Sequence, residues 1–134
     1  MLRRFEVAET SMTPALRPGD RLLCVRLLGT PRRASIVVFP HPHRPDFWLI
    51  KRVVALPGET VEIDGVVRID GILLPEPWAT AGTPGSGRWE VGRGEMFVLS
   101  DARLRTRADS RTFGPIPIDG AYRPLLRYRR GRQP

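Results

Sequence analysis

Among the 22 basic residues of this 134-residue chain, Lys51 is the only lysine; all the others are arginines. Arginine stays protonated under ordinary conditions, whereas a buried ammonium can give up its proton and serve as a base. In Phe47-Trp48-Leu49-Ile50-Lys51-Arg52-Val53-Val54-Ala55-Leu56, strand alternation puts Leu49, Lys51, Val53 and Ala55 on one face and Ile50, Arg52 and Val54 on the other. Lys51 therefore points where apolar residues point. The competing reading is a lysine snorkelling at a strand edge with its amine in water. A neutral amine beside a hydroxyl activates it as a nucleophile, and Ser11, in Glu9-Thr10-Ser11-Met12-Thr13-Pro14, is the best candidate. Pro14 restricts the backbone there and Met12 offers an apolar anchor; the plainer alternative is a polar turn capped by serine. A third cluster runs from Leu99-Ser100-Asp101-Ala102-Arg103 to Asp109-Ser110-Arg111-Thr112-Phe113-Gly114-Pro115. It reads either as a polar loop with Asp109 and Arg111 paired across a turn or as the wall of a catalytic cleft.

The elements that must position these residues read as strands. Gly and Pro are spread along the chain and punctuate short runs of Val, Ile and Leu, the texture of a mainly β domain of short antiparallel strands. Arg17-Pro18-Gly19-Asp20 suits a type II turn and leads into a strand over Arg21 to Leu28. Ser35 to Phe39 and Phe47 to Leu56 follow. Thr60 to Ile63, Val66 to Ile69 and Ile72 to Leu74 form a three-stranded meander across Asp64-Gly65 and Asp70-Gly71, dipeptides favoured in tight hairpins. Pro75 to Gly94 is expected to be a long Gly/Pro-rich surface excursion, and Glu95 to Leu99 and Ala121 to Tyr128 supply the last strands. No helix is expected beyond a single turn around Ala15-Leu16. One compact domain, residues 1–126, is followed by a basic tail, 127–134, expected to fray.

Together the three clusters resemble the type I signal peptidase family of serine/lysine proteases, over most of the chain. Ser11-Met12-Thr13-Pro14 looks like the nucleophile box, Ile36-Val37-Val38-Phe39 resembles the following strand, and Lys51-Arg52-Val53-Val54-Ala55-Leu56-Pro57-Gly58-Glu59 is similar to the general-base box. Asp109-Ser110-Arg111 followed by Gly114 resembles the last box. The resemblance implies peptide-bond hydrolysis in a β-sheet domain without a cofactor, with Ser11 attacking the carbonyl and Lys51 as general base. The backbone amide of Ser11 would donate to the oxyanion. Where the family often places a serine two positions before the nucleophile, this chain has Glu9, with Thr10 as the neighbouring substitute. Thr106 takes the place of the residue that hydrogen-bonds the lysine amine, one residue further from Asp109 than usual, and Ser100-Asp101-Ala102 stands where Gly-Asp-Asn is common. Ten residues precede Ser11, where ordinary members carry a membrane-spanning helix. In this the chain looks most like the anchorless maturation proteases that remove a leader peptide from the precursor of nickel superoxide dismutase. The expected partner is a precursor with an N-terminal leader, met in the cytoplasm; the alternative is a truncated or peripheral signal peptidase acting on secretory preproteins.

Composition narrows the remaining classes. A single cysteine, Cys24, permits no internal disulfide and reads as a strand core residue. The longest uncharged run, Pro77 to Gly87, falls well short of the roughly 20 apolar residues that span a bilayer, so membrane contact is expected to be peripheral at most. Met1-Leu2-Arg3-Arg4-Phe5-Glu6 lacks the apolar core of a secretory signal. A net charge of +8 raises the rival of an arginine-rich nucleic-acid-binding module, but no aromatic and basic stripe accompanies it, and nucleic acid is not an expected partner. A repressor-type autoprotease would need a cleavage segment upstream of Ser11. His41-Pro42-His43 with Asp46 reads as a surface loop rather than a metal cage, although either histidine is a rival base for Ser11.

Overall fold

The computed structural model describes residues 1–129. Strands β1 (Leu2–Glu6), β2 (Asp20–Arg26), β3 (Ile36–His41), β4 (Arg44–Ala55), β5 (Thr60–Gly65), β6 (Val67–Ile69), β7 (Ile72–Leu73), β8 (Thr83–Glu90) and β9 (Glu95–Leu99) precede a one-turn helix α1 (Ser110–Phe113), and β10 (Ile116–Pro117) and β11 (Tyr122–Arg129) follow it. A seven-stranded sheet runs β1-β2-β11-β3-β4-β9-β10 and a four-stranded sheet runs β7-β6-β5-β8. All pairings are antiparallel, as expected for strands joined by short Gly- and Asp-containing turns.

Alternation along the central strands feeds two cores. On β9, Val98 joins Val37, Phe39, Leu49 and Val53 in one cluster, while Phe97 and Leu99 on the opposite face join Val54, Val61, Ile63 and Val67 in another. The second cluster therefore welds the small sheet onto the β4–β9 face of the large one. A third cluster, with Met12, Leu16, Leu22, Val38 and Tyr122, lies under the turn that carries Ser11. The expected alternation on β4 holds through Leu49 and Val53, but Ala55 packs with Val54 in the second cluster. The cause is a register irregularity against β9 between Val53 and Ala55, because one extra residue in a ladder flips the faces beyond it.

Other expectations change in the same physical terms. The Arg17–Asp20 turn forms, with the Asp20 amide donating to the Arg17 carbonyl at 3.0 Å and Gly19 at φ 92°. The segment Pro75 to Gly94 is not wholly an excursion, since β8 lies within it and pairs along β5. Its sequence, Thr-Pro-Gly-Ser-Gly-Arg-Trp-Glu, is poor in strand formers, and pairing to a strong neighbour with the Trp89 ring tilted against Phe97, centroids 5.0 Å apart, overrides that propensity. A Cβ at Gly87 would lie 2.6 Å from the Trp89 ring, so the glycine that weakens the strand is what admits the indole. Strand β1 and helix α1 were not expected. Strand β11 continues through Arg129, which pairs with Asp20, so residues 127–129 of the expected tail are sheet and the rest of it lies outside the described residues.

Candidate active site

Ser11 sits in a run of turns between β1 and β2 that is pinned at several points. The Thr13 amide and hydroxyl both donate to the Thr10 carbonyl, at 3.1 and 2.8 Å, and the Leu16 amide donates to the Met12 carbonyl at 2.8 Å. Met12 and Leu16 are buried in the third cluster, and burying a side chain of that size contributes about 1.5–3 kcal/mol. The Ser11 carbonyl accepts a 2.8 Å hydrogen bond from the Ala102 amide, which ties the turn to the loop after β9. Ser11 itself is half-buried.

Lys51 lies on β4, between β3 and β9, opposite Val37 in the β3 register, and its residue exposure is 2%. The strand-edge reading of Lys51 is therefore set aside: the side chain is held where its apolar neighbours are held. Burial drives its pKa down to about 8, against partial restoration by Asp109, Glu9 and Asp101 and a further lowering by Arg111. Lys51 enters none of the ion pairs among the described residues.

Two clefts meet at these residues. One, of about 170 Å³, is lined by Ser11 and Lys51 with Val7, Met12, Trp48 and Ile50 among its walls and Glu6 and Glu9 at its rim. The other, of about 280 Å³, is lined by Ser11 and Lys51 with Thr10, Thr106 and Arg105. Thus three stretches far apart in sequence, the end of β1 with the turn that follows it, β4 from Phe47 to Lys51 and the loop after β9, converge on Ser11 and Lys51. Neither His41 nor His43 lines either cleft; His41 instead packs edge-on to Phe113 and Phe47 at the β3–β4 hairpin. Cys24 is a fully buried strand residue whose thiol burial pushes up to about 11, far from the thiolate a nucleophile needs.

The remaining predicted site residues divide. Thr10 and Thr106 line the second cleft. The Thr106 hydroxyl accepts from the Ala108 amide at 3.0 Å. Asp109, Ser110 and Arg111 brace the wall from behind. The Asp109 carboxylate caps α1 by accepting from the Arg111 amide at 3.0 Å, accepts from the Ser100 amide at 3.0 Å, and takes the Arg111 guanidinium at 2.8 Å. Arg111 also donates to the Thr106 carbonyl at 2.8 Å, while the Ser110 hydroxyl accepts from the Val98 amide at 2.9 Å. Asp109 and Arg111 do pair across a turn, and that pairing is what holds the Thr106 wall in place.

Sequence reasoning passed over two further ion pairs. Arg52 forks onto Asp101 at 2.9 and 2.7 Å and donates to the Ala34 carbonyl at 2.8 Å, joining β4 to the loop after β9 on the face opposite Lys51. Arg103, buried, is clamped between Glu76, Thr83 and the Ser100 carbonyl. The available signal was the density of Asp and Arg in residues 101–111; their partners at 52 and 76 lie too far along the chain to be read from spacing.

A family model described as signal peptidase, peptidase S26, matches residues 1–122. The chain is 33% identical to signal peptidase I V of Bacillus subtilis over 131 residues, covering 84% of this chain and 76% of that protein. It is 32% identical to thylakoidal processing peptidase 1 of Arabidopsis thaliana, covering 91% of this chain and 40% of that protein. A crystal structure of a signal peptidase I from Enterococcus faecalis superposes with a TM-score of 0.63 at 28% identity, covering 75% of this chain and all of that one. With a family match that runs from the first strand into the last, and relatives a third identical across most of its length, the chain belongs to the signal peptidase family, peptidase S26, and is a serine endopeptidase of that family.

Proposed function

We propose that the protein cleaves an N-terminal leader from a precursor polypeptide, with Ser11 as nucleophile and Lys51 as general base. The observation that carries this is a lysine at 2% exposure, with a pKa near 8 and in no ion pair among the described residues, lining the same two clefts as a half-buried serine on a pinned turn. With that pKa about one Lys51 in ten is neutral at pH 7, enough for it to take the Ser11 proton as Oγ attacks the scissile carbonyl. The resulting ammonium protonates the departing amine, and a water deprotonated by the same lysine hydrolyses the acyl-enzyme and regenerates Ser11. The Ser11 amide donates to the oxyanion, and Thr10, beside it in the second cleft, is the candidate second donor. Thr106, braced by Arg111, orients the amine.

The relatives' names favour a secretory preprotein over the nickel superoxide dismutase precursor as substrate. Among the described residues no helix is long and apolar enough to cross a membrane. The two substrates are separated by incubating wild-type and Ser11→Ala protein with each precursor and sequencing the new N-terminus by mass spectrometry. Leader removal from the secretory preprotein by wild type alone supports signal-peptidase action. Removal from the dismutase precursor alone, with the enzyme recovered in the cytoplasmic fraction, supports the maturase reading, and equal processing by both proteins rejects Ser11.

A further inference from the structure

Lys51 has a neighbour that neither cleft reveals. Strands β4 and β9 pair Arg52 with Leu99 and Val53 with Val98, and one further step of that antiparallel register sets Ser100 opposite Lys51. The backbones of these two residues turn away from each other. The Ser100 amide donates to the Asp109 carboxylate at 3.0 Å; Lys51, two residues before the Val53 amide that donates to the Ser35 carbonyl at 2.8 Å, faces β3. That is the non-hydrogen-bonded kind of antiparallel pair, in which opposed side chains share a face and stand closest, with Cβ atoms about 4.5–5.5 Å apart. Ser100 is fully buried, and its hydroxyl has no hydrogen-bond partner among the described residues. A buried hydroxyl left unpaired is costly, and the group across the ladder is one whose charge changes during the reaction.

Resting on the peptidase reading above, we propose that Ser100 is a positioning residue: its hydroxyl oxygen accepts one N–H of the Lys51 ammonium from the core side as the lysine takes the Ser11 proton. Ser100 lines neither cleft, so it touches no substrate and acts only through Lys51. The donor count fits. An ammonium has three N–H donors and no acceptor; one faces the Ser11 oxygen or the departing amine, Thr106 accepts the second and Ser100 the third. The Thr106 hydroxyl already accepts from the Ala108 amide, whereas the Ser100 oxygen is uncommitted. Such an acceptor favours the charged lysine, on the same side as Asp109, Glu9 and Asp101 and against Arg111; Arg105 stands in the wall of the second cleft.

Because Lys51 is the only lysine, protein labelled with ε-13C lysine gives one side-chain signal whose titration reads the amine directly. In wild type with Lys51 charged, a nuclear Overhauser effect between its ε protons and the Ser100 β protons is expected, and its absence overturns the proposal without any variant. Ser100→Ala keeps the amide bond to Asp109 and every charge named above. Its titration midpoint and activity limb are expected to move down by about half to one pH unit, and kcat/KM above the limb to fall about 10- to 100-fold. Ser100→Thr, which keeps the oxygen, should hold the midpoint near 8 whatever its rate. A role in packing alone gives the opposite sign, since a loosened core admits water and returns the lysine toward its ordinary value of 10.5. A midpoint that rises or stays put in Ser100→Ala therefore overturns the proposal, and cleavage by the same wild-type protein leaves the peptidase reading standing. A lowered midpoint in a protein that cleaves no precursor keeps the Lys51–Ser100 contact and removes the peptidase reading.

Discussion

Lys51 on β4 and Arg103 in the loop after β9 are both withdrawn from water, at 2% and 1% exposure, and differ in what meets their charge. Arg103 is saturated: Nε donates to the Ser100 carbonyl at 2.9 Å, and Nη1 to Glu76 and Thr83 at 2.8 Å each, with Nη2 on the second Glu76 oxygen. Its charge is permanent and fully answered, so the residue fixes the loop that ends in the Asp109–Arg111 brace. Lys51 enters no ion pair among the described residues, and desolvation brings its pKa to about 8 although Asp109, Glu9 and Asp101 act from a distance to raise it. A buried charge that is paired becomes scaffold; one left unpaired becomes a proton acceptor at the expense of stability.

The widest separation between the two cations should appear in catalysis. Lys51→Arg keeps the positive charge and removes the base, and Ser11→Ala removes the nucleophile; each is expected to lower kcat/KM about 10³- to 10⁴-fold or more, with the double variant no worse than either. Substantial turnover by Lys51→Arg, measured on a cleaved precursor, would erase the distinction between the two sites.

Breaking the scaffold pair should act on stability instead. Arg103→Met leaves Glu76 without its guanidinium and is expected to cost about 3–5 kcal/mol in urea unfolding. A loss below about 1 kcal/mol, the worth of a surface pair, would mean that the loop is held by its backbone bonds alone.

Lys51→Met should move stability the other way. Because the folded pKa is depressed from 10.5 to about 8, the unfolded chain binds the proton more tightly, and the penalty is full below pH 8, fades between pH 8 and 10.5 and is gone above. Removing the amine should stabilise the protein by about 3 kcal/mol at pH 6.5, an advantage that disappears by pH 11 in paired unfolding curves. An advantage of the same size at both pH values would assign it to packing rather than to charge.

The subtlest comparison is a titration. Activity should rise with pH along a limb centred near 8, the Lys51 value, and stay centred there in His41→Asn and His43→Asn. A limb that vanishes with either histidine would move the base to the hairpin.

Legibility in the sequence followed the range of the interactions. The β5–β6–β7 meander was readable because Asp70 and Gly71, both at positive φ at 51° and 81°, are the residues that such a hairpin turn requires. Strand β8 was not, because Thr83 to Glu90 forms a strand only when β5 offers its edge. Residue type singled out Ser11, three positions before Pro14, and Lys51, the lone lysine on an apolar face, but it was the resemblance of their boxes to the signal peptidase family that set them above the plainer readings. Asp109 and Arg111 were legible as a pair, but their bracing of the Thr106 carbonyl was not.

By itself the sequence determined the strand-rich class, the tight turns and the identity of one residue able to lose its charge among many that cannot, since these depend on backbone preferences and side-chain pKa values carried locally. Only the tertiary structure decided that Lys51 is buried rather than snorkelled, that Arg52 and Arg103 find Asp101 and Glu76 across the fold, and that Glu9 faces the same cleft as Ser11. Solvent exclusion and charge pairing depend on which distant segments pack together, and a residue's type does not carry that information.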